Sequence, residues 1–358
     1  MDMSSQRNLI HASPASEITQ LAAQITAALV GTGPALGFGD ISSVVAPKNI
    51  AIVVGTSGST GISKEVAFTR ENLIASAQAS NAFIGAQPGA RWSLLLPATH
   101  IAAVNVIIRS MEVGTLPVDL RNSEGNYPKV DFTSIVPTQL YRALNSDERL
   151  LHHLQSAKAV LVGGAALNPT LRSQAQSKGI KVVETYGMTE TCGGCIYDGQ
   201  AINGVEFALS PNGLVKIRGS VVANDYLNVP ELFKKDEGWF ISNDLGEIID
   251  GKLHVLGRAD DVIISGGENL SLTAIEATLS VRYPHLEFAA FAVSDPQWGQ
   301  ALHLAIVGEV NETEISHFLE AALGRIAKPK GIYRVESLPL LGIGKVNRVA
   351  LLELVKYE

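Results

Sequence analysis

The sequence predicts an α/β protein in two parts. A large N-terminal domain of βαβ units plus a small β-rich subdomain spans residues 1–259, and a small α+β C-terminal domain spans residues 260–358. Three observations lead there. Between Ile50 and Val183, short apolar runs alternate with helical patterns, as parallel βαβ units require. From about Gly204 the pattern changes to short strands and turns, and after Asp260 a smaller alternation of helix and strand begins. At 358 residues the chain is also too long for one ordinary core.

Residues 13–30 read as one amphipathic helix, with Ser13 as cap, Pro14 in the first position and Ile18, Leu21, Ile25 and Leu29 on one face. Ile50 to Val54 and Val66 to Phe68 read as strands joined by a small-residue loop. A helix follows from about Thr69 to Ile84, then a buried strand from Trp92 to Leu96, ended by Pro97. A helix from about His100 to Met111 puts Arg109 nine residues beyond His100, so the two side chains share a side only loosely. On the residues alone, His100 reads as a helix cap and Arg109 as surface. Next come a strand at Ser134–Val136, a helix from Thr138 to Leu144, a strand at Ala159–Val162, a helix at Pro169–Ser177 and a strand at Ile180–Val183. Two strand ends stand out: Gly163-Gly164-Ala165, where a flat ligand can lie against backbone, and Tyr186, Gly187, Thr189 and Glu190, just beyond a strand. Open α/β sheets bind ligands at such positions.

In the β-rich part, strands are expected at Leu214–Ile217, Phe240–Ile241, Glu247–Ile249 and Leu253–Leu256; Asp244 ends a turn and Arg258 follows a strand. After the cap Ser271 come a helix to about Leu279, strands at Phe288–Val293 and Leu302–Val307, and a helix from Ile315 to Leu323. Lys345 lies in a Gly-rich stretch before the last helix, where a mobile loop is expected.

The loop Thr56-Ser57-Gly58-Ser59-Thr60-Gly61, followed by Lys64, suits an anion: glycine and small hydroxyl residues let backbone N–H groups wrap closely around it, and lysine adds a point charge. It is not a Walker loop, because Thr60 and Ser63 stand where GxxxxGK[ST] needs glycine. It is not a nucleophile elbow either, since Gly55 to Ser59 ends in serine. A Gly/Ser hairpin turn is the other reading of these six residues by themselves.

A net charge of -7 argues against a nucleic acid or an anionic membrane as partner. The start of the chain lacks a basic-then-apolar secretory pattern, and the most apolar window, Leu94 to Ile108, is broken by Pro97, His100 and Asn105. No membrane span and a cytoplasmic location are expected. The only cysteines, Cys192 and Cys195, form a CxxC with no second ligand pair at zinc spacing, so two buried or pocket-lining thiols are expected.

TSGSTGISK, the Gly-Gly-Ala at 163–165, YGMTET, the Asp-Leu-Gly at 244–246, GRADD and the terminal GIGKVNR together resemble, in identity and order, the adenylate-forming superfamily of acyl-CoA synthetases, luciferases and peptide-synthetase adenylation domains. The resemblance implies that a carboxylic acid is activated by ATP to an acyl-adenylate and that a thiol then attacks the acyl carbon. The loop at 56–64 would hold the β- and γ-phosphates. Gly163, Gly164, Ala165, Tyr186 and Gly187 would line the adenine slot, Thr189 would reach the α-phosphate, and Glu190 would hold Mg²⁺. Asp244 would accept from the ribose hydroxyls, with Arg258 nearby, and Lys345 would neutralise charge in the first step. The small domain would then turn about a hinge at Asp260, moving Lys345 out and bringing in Gly266-Gly267, where coenzyme A passes.

Within the superfamily, TYGMTETCGGCIYDG and LGIGKVNRVAL resemble the o-succinylbenzoate–CoA ligases of menaquinone synthesis, in the short actinobacterial form with an N-terminal subdomain expected to be absent. That group carries an arginine for the substrate carboxylate on the helix after the histidine, which corresponds to Arg109. His100 would gate the pocket and Gly193-Gly194 would line it. A ligase for another aryl or acyl acid, and an adenylation domain loading a carrier protein, are the alternatives; a homodimer stays open. The sequence departs from the superfamily pattern at Ala103, Ile241-Ser242-Asn243, Leu272 and Ala274.

Overall fold

The computed structural model describes residues 5–57, 63–125, 127–284, 286–341 and 345–357, without the side chains of residues 57, 341, 345, 356 and 357. Among these, the βαβ alternation becomes a seven-stranded sheet. Its order is Gln200–Ala201, Gly193–Tyr197, Val182–Met188, Ala159–Val162, Phe132–Ile135, Trp92–Leu94 and Val118–Asp119. The strands from Val182–Met188 to Val118–Asp119 run parallel, so their carboxyl ends share one edge. All four residues of Ala159–Val162 are buried, as expected for a strand covered on both faces. One face packs on helices Pro137–Asn145, Glu148–Ser156 and Pro169–Ser177 through Leu140, Leu150, Leu154 and Ala175.

The other face shares a core with a six-stranded sheet ordered Asp225–Tyr226, Ser63–Thr69, Ile50–Ser57, Ala35–Phe38, Gln6–His11 and Val45–Pro47. Two helices, Arg70–Phe83 and Ile101–Glu112, lie in that core. The second is buried nearly all round, which its sequence permits because Ala103, Val104, Val106, Ile107 and Ile108 are apolar on consecutive faces. A third sheet holds Val205–Leu209, Leu214–Gly219, Trp239–Ile249, Lys235–Asp236 and Lys252–Arg258. The last five-stranded sheet begins only at Val262–Ser265, and among the described residues no core cluster spans the short turn Ala259–Asp261.

Three expectations need correction. The first helix runs Ile18–Val30, not from residue 13. Ser16 turns back onto Ser13, and Arg121 takes the carbonyls of Pro14 and Ser16, which a helix start there would use. Tyr186 and Gly187 lie inside a strand, Val182–Met188, because Gly193–Tyr197 gives it an antiparallel partner beyond Val183. Asp244 does not end a turn: it sits within the continuous strand Trp239–Ile249, opposite Arg258.

Gly55 lies in the strand that leads into the phosphate-type loop, and a Cβ there would fall 2.0 Å from the Asp40 carbonyl oxygen. Because that neighbour is backbone, Gly55→Ala is expected to lower stability by about 1–3 kcal/mol in urea unfolding. An unchanged midpoint would mean that the 38–42 turn yields freely.

Candidate active site

The strands Ile50–Ser57 and Ser63–Thr69 pair antiparallel with Thr56 opposite Lys64 and Ser57 opposite Ser63. Gly58, Ser59, Thr60 and Gly61 lie outside the described residues, as does the side chain of Ser57. Near the loop end of the hairpin, Lys64 Nζ sits 5.0 Å from the ring centroid of Tyr226, whose strand pairs with Ser63–Thr69. The Tyr226 hydroxyl donates to Glu190 Oε1 at 2.5 Å. Burial and the adjacent Glu190 push the phenol above its ordinary range, so it remains a donor. One tyrosine therefore joins the lysine of the first motif to the carboxylate of the third.

Glu190 belongs to a single turn, Thr189–Thr191, between strands Val182–Met188 and Gly193–Tyr197. The buried Thr191 hydroxyl locks this turn: it accepts from the Met188 N–H at 2.9 Å and lies 2.9 Å from the Gly193 carbonyl oxygen. Backbone approach is close here. A Cβ on Gly187 would fall 2.0 Å from the Gly193 oxygen, and one on Gly163 would fall 2.2 Å from Thr185 Oγ1. Gly164 takes a left-handed φ of 84° beside the exposed Ala165, at the carboxyl end of Ala159–Val162.

Across this edge, Tyr186 Oη donates to Asp244 Oδ2 at 2.8 Å, joining the parallel sheet to the β-rich subdomain. Burial, then the charge of Asp244, raises the Tyr186 phenol and keeps its proton in that bond. Arg258 holds Asp260 with two hydrogen bonds, from Nε at 2.7 Å and from an Nη at 2.8 Å.

His100 is the half-buried N-cap residue of Ile101–Glu112 and makes no side-chain cap bond. Arg109 is not on the surface as its sequence position suggests, but 4% exposed. One Nη donates to Tyr197 Oη at 3.1 Å, the other contacts Ser134 Oγ at 3.5 Å, and the guanidinium lies 5.6 Å from the Trp92 ring. Arg109 Nε has no acceptor, and among the described residues no carboxylate comes within ion-pair distance of this cation. Gly193 and Gly194 adjoin it for a packing reason: Cβ atoms there would fall 2.7 Å from Asn105 Nδ2 and 3.0 Å from Thr185 Cβ.

The Lys345 side chain lies outside the described residues, while its backbone pairs with Leu341 in a two-stranded ribbon. Three residues on, Arg348 bonds the Ala290 carbonyl at 2.9 Å and Glu276 at 2.8 Å, and meets Asp261 at 3.6 Å. Gly266, with a left-handed φ of 60°, abuts Trp298, where a Cβ would lie 2.6 Å from the ring; Gly267 faces open space. Beside them is a recess of about 630 Å³ walled by Trp298, Arg325, Lys328 and Lys330 among others. Its walls come from the last unit.

Tyr226, Thr191, Tyr197 and Ser134 were not picked out by sequence. Tyr226, Tyr197 and Ser134 are neutral side chains in ordinary apolar or alternating runs that gain partners only through long-range pairing, whereas Thr191 is partnered within its own turn by Met188 and Gly193. For Tyr197 the signal available was its spacing: it lies on the same side of an alternating strand as Gly193 and Cys195.

Two family descriptions match this chain: AMP-binding enzyme over residues 4–221, and AMP-binding enzyme C-terminal domain over residues 275–345. A Mycobacterium tuberculosis protein named probable 2-succinylbenzoate–CoA ligase is 37% identical over 325 residues, covering 85% of this chain and 84% of that one. The 2-succinylbenzoate–CoA ligase of Escherichia coli K12 is 29% identical, covering 87% of this chain and 70% of its own length. Among solved structures, the o-succinylbenzoate CoA synthetase of Bacillus subtilis, in complex with its acyl-adenylate intermediate, superposes with a TM-score of 0.75 at 23% identity. That match covers 92% of this chain and 80% of that one. It shows the shared fold.

Cys192 and Cys195 are both free and fully buried, and burial pushes each thiol up to about 12. At pH 8 the native protein is therefore expected to leave both unreacted with a thiol-specific disulfide reagent, and the denatured chain to titrate two. Rapid reaction of the native protein would refute the inert reading.

Proposed function

The chain belongs to the family of AMP-binding enzymes, and on that premise we propose that it is an AMP-forming acid–thiol ligase acting on o-succinylbenzoate with ATP and coenzyme A, a step of menaquinone biosynthesis. Its curated relatives carry that ligase name. The observation that carries the substrate is Arg109. A guanidinium with 4% exposure and only neutral partners is costly unless an anion joins it, and a dicarboxylic acid brings a second carboxylate besides the one that reacts.

In the first step a substrate carboxylate oxygen attacks the α-phosphorus of ATP; the bond to the β-phosphate oxygen breaks and pyrophosphate leaves. The glycine-hydroxyl loop from Thr56 to Gly61, with Lys64, cradles the β- and γ-phosphates. Tyr186, Gly187 and the Gly163–Ala165 turn frame the adenine, and Asp244, oriented by Tyr186, accepts from the ribose hydroxyls with Arg258 alongside. Thr189 donates to the α-phosphate and Lys345 neutralises charge developing on its oxygens. In the second step the thiol sulfur of coenzyme A attacks the acyl carbon and AMP departs. The unit after Asp260 turns between the steps, and Gly266 and Gly267 admit the pantetheine arm. The phosphates of coenzyme A lie toward the recess bounded by Arg325, Lys328 and Lys330.

Glu190 fits a magnesium ion of the nucleotide: it is one carboxylate beside a phosphate loop, and Mg²⁺ takes one or two carboxylates plus phosphate oxygens. Among the described residues no group of three or more His, Cys, Asp or Glu forms a separate metal site. The ion would supply charge neutralisation on the phosphates. Tyr226 holds the Glu190 carboxylate toward Lys64.

A panel of carboxylic acids assayed for ATP- and CoA-dependent thioester formation is expected to rank o-succinylbenzoate first. Arg109→Met should raise its KM about tenfold to hundredfold, the loss of a charge-assisted contact. Higher turnover of a monocarboxylic acid, with Arg109→Met silent, would sink the substrate assignment. Lys345→Ala is expected to slow pyrophosphate exchange by about 10²–10³-fold while thioester formation from supplied acyl-adenylate survives. Equal losses in the two half-reactions would remove Lys345 from its role.

A further inference from the structure

Arg109 does not choose its own position. Its helix, Ile101–Glu112, packs along Gly193–Tyr197, where Asn105 Nδ2 bonds the Cys192 carbonyl at 2.5 Å and, one turn later, Arg109 bonds Tyr197. Tyr197 is fully buried. Because a guanidinium only donates, the Tyr197 oxygen must accept from Arg109, and a second hydrogen bond joins it to Ser80 Oγ, the other group in contact. The phenol is thus fixed in direction from both sides. Phe83 holds the ring edge-on at 5.1 Å, and Gly194 leaves room for it: a Cβ there would lie 3.2 Å from Tyr197 Cε1. Ser134 contacts the other Nη, Asn81 caps the Arg109 carbonyl at 2.9 Å, and Trp92 lies against the cation, so Nε is the donor left with no acceptor.

We propose that Tyr197 is the positioning residue that sets where Arg109 presents its charge, and so makes the site select an acid with a second carboxylate at a fixed distance from the reacting one. The proposal rests on Arg109 receiving that carboxylate and adds the residue that aims it.

The test compares o-succinylbenzoate with 4-oxo-4-phenylbutanoate, which keeps one of the two carboxylates, in ATP–pyrophosphate exchange. Tyr197→Phe keeps the buried ring and deletes only the oxygen. It is expected to raise KM for the dicarboxylate about tenfold, with kcat changed less than about threefold, and to lower the kcat/KM ratio of dicarboxylate over monocarboxylate by a similar factor. An equal loss with both acids, a fall in kcat with KM unmoved, or no change would overturn it. Should Tyr197→Phe fail to fold, Ser80→Ala reads the same ratio, because the phenol then loses the hydrogen-bond partner that holds it from the side opposite Arg109; an unmoved ratio would again overturn the proposal. Arg109→Met separates the two claims. If it leaves the ratio at the parent value, the reading of Arg109 has failed, whereas a collapsed ratio beside a silent Tyr197→Phe defeats the positioning role alone.

Discussion

The close contact of two backbones at Gly187 and Gly193 governs the rest of the site. The strands Val182–Met188 and Gly193–Tyr197 can pair at their inner ends because Gly187 has no Cβ: one there would fall 2.0 Å from the Gly193 oxygen. The turn between them is consequently short, and Cys192 completes it with a left-handed φ of 57°. From that turn Glu190 reaches Tyr226, while the outgoing strand delivers Tyr197 to Arg109. A wider hairpin would shift both contacts together. Nucleotide-side and acyl-side groups are in this sense positioned by one packing event.

The treatment of buried charge elsewhere gives Arg109 its meaning. Glu65, 1% exposed, is met by the backbone N–H groups of Ser42 and Ser43 and by the Ser42 hydroxyl; these hydrogen bonds outweigh the effect of burial and hold its carboxyl below the ordinary value. Glu276, pushed up by burial, is met by Arg348 at 2.8 Å. Both are met by hydrogen-bond donors, although Glu65 Oε2, like Arg109 Nε, has no partner of its own. Arg109 has a hydroxyl on each side, an aromatic face and an orphan Nε. Arg109, a buried cation whose partners are two hydroxyls and an aromatic face, keeps a donor that an anion can satisfy, which is where rules of stability yield to function.

Sequence reasoning reached the motifs because each is local. The strands Ala159–Val162 and the helix Pro169–Ser177 have the predicted bounds, since an all-buried apolar run and a Pro at the first helical position are decided by a few neighbours. Gln6–His11, Ala35–Phe38 and Val45–Pro47 escaped notice, because they pair with one another and with Ile50–Ser57 across the chain, and little in their own residues marks them. Arg109 was placed on the residues alone as surface, since one charge in a helix is ordinarily solvated; its burial is set by Tyr197, 88 residues away. The register that makes Tyr226 the link between Lys64 and Glu190 is likewise long-range, arising from a strand that follows the motif it joins by more than a hundred residues.

The two aspartates at the unit junction face different ways. Asp260 is held by Arg258, on the strand that pairs with Asp244; Asp261 meets Arg348, three residues past Lys345 and bonded to the core of the last sheet through Glu276 and the Ala290 carbonyl. Adjacent residues thus belong to opposite bodies. A rotation confined to the few dihedrals at Asp260 would leave the Asp261–Arg348 contact inside the moving unit and would disturb the Arg258–Asp260 pair together with the packing of Gly257 against Thr273. That pair is exposed by more than a third on each side, where solvent screens the attraction and ion pairs contribute little. The ion pair that such a rotation would break is therefore weak, while the Arg348 contacts beside the Lys345 ribbon are half-buried and lie on one side of Asp260.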